Sequence, residues 1–102
     1  MTEQELKNKA RGILDRLREI ASQDTPCKYS FVTNANKYID VLCELNQIDG
    51  YDIHLAHLGS MLNHEIASIE HADESTKTGK NKMFSDMRKT IKRFEQIQDE
   101  IL

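Results

Sequence analysis

The sequence predicts an all-α protein, four amphipathic helices packed as an antiparallel four-helix bundle, and three observations predict it. Apolar residues recur at spacings of three and four in four separate stretches, the period of one helix face. The 102 residues include one proline and four glycines, too few turn formers for strands that would reverse every eight to twelve residues or so. Short polar breaks separate the stretches, and short connections set neighbouring helices antiparallel. A chain of this length buries one core, so residues 1–102 read as a single helical domain.

The first helix is expected over about 3–22. Thr2 and Glu5 have the spacing of a capping box, in which the hydroxyl accepts from an early amide and the carboxylate answers the cap's own N–H. Leu6, Ala10, Ile13, Leu17 and Ile20 follow on one face, with Leu14 and Ala21 beside them. Pro26 ends the segment, because it lacks an amide proton and restricts the residue before it. The second helix is expected over about 31–47, capped by Ser30 or Thr33, with Phe31, Ala35, Tyr38, Leu42 and Leu45 inward and Ile39 beside them.

Asp49-Gly50 closes that helix, glycine being suited to the left-handed conformation past a helix end, and Asp49 or Asp52 can cap a third over about 53–72. Its inward residues are Leu55, Leu58, Leu62, Ile66 and Ile69. Residues 73–82 are polar throughout and carry Ser75, Thr76, Thr78 and Gly79, the chemistry of a connection. A segment of that length would let the last helix leave and exchange in a dimer. The fourth helix, about 81–102, places Met83, Phe84, Met87, Ile91, Phe94, Ile97 and Ile101 on one side.

Composition narrows function by exclusion. With 38% hydrophobic and 30% charged residues, the chain is polar but able to fold. No stretch approaches the roughly eighteen apolar residues of a membrane span, and Met1 to Glu5 lack the basic start of a signal peptide, so a cytoplasmic protein is expected. Cys27 and Cys43 are too few for a disulfide framework or a metal motif and are expected as reduced thiols.

Charge is distributed unevenly beneath a net value of −3. Residues 38–76 contain no Lys or Arg but eight acids: Asp40, Glu44, Asp49, Asp52, Glu65, Glu70, Asp73 and Glu74. Residues 77–93 then carry Lys77, Lys80, Lys82, Arg88, Lys89, Lys92 and Arg93, opposed only by Asp86. At 100° per residue, Lys82, Arg88, Lys89, Lys92 and Arg93 fall opposite the apolar stripe and are expected to face outward. Such a row suits an acidic protein surface or a phosphate backbone, though no interleaved aromatics or nucleic-acid motif accompany it.

His54, His57, His64 and His71 share one edge of the third helix. Only His54 and His57 have the separation at which a helix brings two ligands together, and no Glu or Cys completes a set, so no metal site is expected. Met61, Ala67 and Ser68 lie on the same charge-poor edge, a composition found in interface cores. Imidazoles there would make an interface sensitive to pH between about 5 and 7. His57-Leu58-Gly59-Ser60 invites comparison with histidine phosphotransfer domains. That family places a Lys three and a Gly four residues after its phosphorylated His, whereas Gly59 follows His57 by two and the helix has no basic residue. In size and organisation the chain is also similar to the cytoplasmic immunity proteins of class II bacteriocins, helical bundles that act by protein contact, with no shared motif.

The expectation is a non-enzymatic interaction protein, an inhibitor, immunity or regulatory factor of a bacterium, phage or mobile element. It would bind a protein partner, or a second copy as a homodimer, through Arg88, Lys89, Lys92 and Arg93 on the fourth helix and His57, Met61, His64 and His71 on the third. No catalytic residue, metal or cofactor is expected. A nucleic-acid-associated factor using the basic helix is the alternative, and a histidine-based metal or phosphotransfer protein the third class.

Overall fold

A computed structural model describes the backbone of residues 2–48 and 55–101, and the side chains of 2–48 and 63–99. The described residues form four helices: α1 Glu3–Ala21, α2 Lys28–Asn46, α3 Leu55–Glu70 and α4 Lys77–Ile101. In the ring they make, α1 packs on α2 and α4, and α3 packs on the same two helices. The molecule measures 46 × 24 × 18 Å. At 1.5 Å per residue the 25 residues of α4 span roughly 37 Å, so α4 runs along the long axis. No helix among the described residues is long and apolar enough to cross a membrane.

All four stripes meet in one core. Leu6, Ala10, Ile13, Leu14, Leu17 and Ile20 are buried from α1, and Phe31, Ala35, Tyr38, Val41, Leu42 and Leu45 from α2. Ile66 and Ile69 join from α3, and Met83, Met87, Ile91, Phe94 and Ile97 from α4. Leu55, Leu58, Leu62 and Ile101 lie outside the residues whose side chains are described.

The starts of α2 and α4 precede the sequence expectation, whereas that of α1 matches it. Thr2 caps α1 as its spacing implies, its hydroxyl accepting from the Glu5 amide at 3.2 Å. In α2, however, Cys27 is the N-cap, without a side-chain cap bond, and Ser30 and Thr33 lie inside the helix. In α4 the Gly79 amide donates to the Thr76 hydroxyl at 3.0 Å and the Lys80 amide to the Thr76 carbonyl at 3.0 Å. The helix therefore begins at Lys77, and the expected connection over 73–82 shrinks to residues 71–76. Both helices gain a first turn that adds no residue to the core. Apolar periodicity marks only the turns that bury something, so it starts each helix one turn late.

Tyr38 ties α2 across the core to α4. Its ring lies 4.3 Å from that of Phe94, and its hydroxyl donates to Gln98 Oε1 at 3.1 Å and to the Phe94 carbonyl at 3.3 Å. Burial pushes this phenol well above the ordinary tyrosine range, against a smaller opposing pull from Arg18. The folded chain thus holds the proton to higher pH than the unfolded chain. The stability this contributes is whole below about pH 10 and is lost as pH rises beyond it. Urea unfolding between about pH 9 and 11 is expected to show wild type losing up to about 1.4 kcal/mol per pH unit more than Tyr38→Phe. Parallel profiles would show that the phenol ionises freely in the folded state.

Candidate docking face on helices α3 and α4

The seam between α3 and α4 is polar at its centre. Asp86 and Thr90 are buried there, at 8% and 0% exposure. Such groups cost a few kcal/mol to bury unless they are hydrogen-bonded. The Ser68 hydroxyl donates to Asp86 Oδ2 at 2.8 Å, and the Thr90 hydroxyl to the Asp86 backbone carbonyl at 2.9 Å. Arg93 Nε donates to Glu65 Oε1 at 2.8 Å. Among the described residues no buried side-chain N or O lacks a partner. A seam satisfied in this way holds α3 and α4 in one register.

Outside the seam the basic residues of α4 divide. Lys82, Lys89 and Gln96 succeed one another at intervals of seven, which stacks them along the flank of α4 nearest α3. Lys92 stands further out, and all four are exposed. Arg93 departs from the outward expectation: it is half-buried and spans to Glu65 on α3. Arg88 is exposed but seven residues before Glu95, whose carboxylate pairs with Arg18 of α1 at 3.6 Å. Arg88 thus belongs to the α1 flank, away from Lys89.

The histidine edge lies beside this flank. His64 and His71 are exposed on α3 and share with Lys82 and Asp73 a hollow of about 500 Å³ also lined by Ala67, Ser68, Ala72 and Gly79. Further along α4, Lys89, Lys92, Arg93 and Gln96 line a second hollow of about 220 Å³. The first hollow therefore joins the histidine edge to the basic helix at Lys82. His57 and Met61 belong to α3, but their side chains lie outside the described residues, as does all of His54. Lys82, Lys89 and Lys92 take part in no ion pair among the described residues, so their charge is directed to solvent. None of the described His, Cys, Asp or Glu side chains gather in threes to hold a metal ion.

A third concavity escapes the sequence reading. Pro26, Cys27, Lys28 and Tyr29 meet Met83 and Phe84 around a cleft of about 420 Å³. Tyr29 is 63% exposed, with the Lys28 ammonium 5.4 Å from its ring centre. Hydrogen bonds from the Ser30 amide and hydroxyl hold the exposed Cys27 thiol below the usual thiol range. The available signal was the off-stripe position of Tyr29, two residues before Phe31, which turns it away from the core. Comparisons with protein-family models, curated proteins and solved structures give no match for this chain.

Proposed function

We propose that this chain is a non-enzymatic interaction protein, an antiparallel four-helix bundle that regulates or inhibits a partner protein by docking the α3–α4 face on an acidic surface of it. The observation that carries this reading is the set of exposed Lys82, Lys89 and Lys92 on α4, the first of which shares a hollow with exposed His64 and His71. Clustered charge of one sign steers an oppositely charged partner and helps fix its orientation. The polar groups of the α3–α4 seam are engaged with one another and leave the face to act through contact. A protein partner is favoured over nucleic acid because the residues lining the two hollows include no aromatic beyond the imidazoles, whereas single strands are held on stacking platforms.

The test is affinity capture from the source cells with wild type and with the triple reversal Lys82→Glu, Lys89→Glu, Lys92→Glu. All three residues are exposed, so the variant is expected to fold, which circular dichroism checks. Wild type is expected to retain a stoichiometric protein that resists nuclease, and the variant to retain it at least tenfold less, about 1.4 kcal/mol. Retention of the same protein by both would discard the α3–α4 face, and recovery of nucleic acid alone would discard a protein partner.

A further inference from the structure

We infer that the cleft beside Tyr29 is an interface between two copies of this chain, each seating its Tyr29 ring in the other's cleft about a two-fold axis. The cleft, of about 420 Å³, lies between the start of α2 and the first turns of α4. It shares no lining residue with the hollows that hold Lys82 and Lys89, so this contact is separate from the docking face of α3–α4.

The patch carries its own complement. Tyr29 is the one large hydrophobic side chain exposed among the described residues, at 63%. Covering such a ring gains apolar burial at a low cost in rotamer freedom. The same cleft is lined by Pro26 and Met83, both buried, and by the half-buried Phe84. An aromatic side chain packs well on a ring and a flexible thioether. A two-fold contact sets one patch against itself, so a surface that bears both a projecting ring and an apolar hollow is complementary to a second copy.

The charges around the cleft favour the same occupant. Asp24 and Glu74 stand there with Lys28 and Lys80. Lys28 is engaged, donating to the Ala72 carbonyl at 3.0 Å and lying against the Tyr29 ring. Asp24, Glu74 and Lys80 are exposed and take part in no ion pair among the described residues. A partner of one charge sign would meet repulsion as well as attraction, whereas a balanced rim turned on itself can set acid against base. The ten residues around the cleft fall short of the roughly 20–30 a side of a standard interface. The dimer is therefore a weak one, expected to dissociate at about 10 µM to 1 mM.

Sedimentation equilibrium up to about 2 mM is expected to show wild type passing from monomer to dimer. Amide NMR signals of residues 24–29 and 80–84 are expected to shift on dilution. Tyr29→Ala is expected to weaken the dimer at least tenfold, with the fold checked by circular dichroism. Glu74→Lys and Lys80→Glu each leave one sign of charge in excess on both rims and are expected to weaken it at least threefold. Mixed in equal amounts, these two variants are expected to recover wild-type association, because an excess of positive charge then meets an excess of negative. Lys89→Ala is expected to change the dimer less than twofold. A chain monomeric throughout, a dimer untouched by Tyr29→Ala, or charge variants that associate no better mixed than alone would each overturn the inference. Loss of the dimer in Lys89→Ala would do so too, by moving the self-contact to α3–α4. All of these outcomes leave the capture experiment on α3–α4 standing, since it reads a different protein on a different surface.

Discussion

Phe94→Ala is expected to cost about 3–5 kcal/mol of unfolding free energy, the range for deleting a fully buried aromatic side chain. The side chain has 0% exposure, and its ring is tilted 32° against that of Tyr38 at 4.3 Å. An offset aromatic pair contributes about 0.5–1.5 kcal/mol beyond the area it buries. Alanine removes the ring and leaves a cavity, which Tyr38 is poorly placed to fill. Its hydroxyl remains bonded to the carbonyl of residue 94 and to Gln98, so the phenol stays anchored while its neighbour disappears. Against a total stability of about 5–15 kcal/mol, this is a large fraction. For a domain of this size the melting temperature is expected to fall by more than about 10 °C. Phe94→Leu keeps most of the volume and is expected to cost less than half as much. Thermal and urea unfolding followed by circular dichroism decide the matter: a loss below about 1 kcal/mol for Phe94→Ala would mean that the ring is not packed in the core.

Phe94 also illustrates what could be read in advance. Every residue assigned to the apolar stripes whose side chain is described is buried, apart from Ala21, Ile39 and Phe84 at the stripe margins. Burial sets the period of a sequence directly, so that much is written locally. The turns gained at the starts of α2 and α4 bury little and leave no such mark. Asp86 reads as a lone acid among basic residues, yet the fold closes α3 over it and gives it Ser68 as a partner. Arg93 reads as one of an outward row, yet Glu65, twenty-eight residues earlier, draws it inward. Each of these outcomes depends on which helices become neighbours, and four separate stripes do not carry that order. The joining of the histidine edge to the basic helix at Lys82 has the same origin.

Two glycines within helices are expected to respond with opposite sign to the same substitution. Alanine is favoured over glycine inside a helix by about 0.5–1 kcal/mol, because it restricts the unfolded backbone. At Gly12, exposed near the middle of α1, an added methyl would meet nothing within 4 Å. Gly12→Ala is therefore expected to stabilise by about that amount. At Gly79 the same methyl would strike the Asp73 carbonyl group and lie 2.8 Å from the Thr76 hydroxyl oxygen. Neither neighbour is free to yield. The Asp73 carboxylate accepts from the Ser75 amide at 3.0 Å and from its hydroxyl, bonds that also hold this carboxyl below the usual range. Thr76 is the cap on which α4 starts. Relieving the contact would open the short connection that sets α3 against α4. The clash outweighs the propensity gain, and Gly79→Ala is expected to cost about 1–3 kcal/mol, as overpacked sites do. Urea unfolding of the two variants side by side tests this. Stabilisation by both would mean that the α3–α4 connection yields at no cost, and that Gly79 is turn chemistry alone, not the close contact that seats α4 on the chain before it.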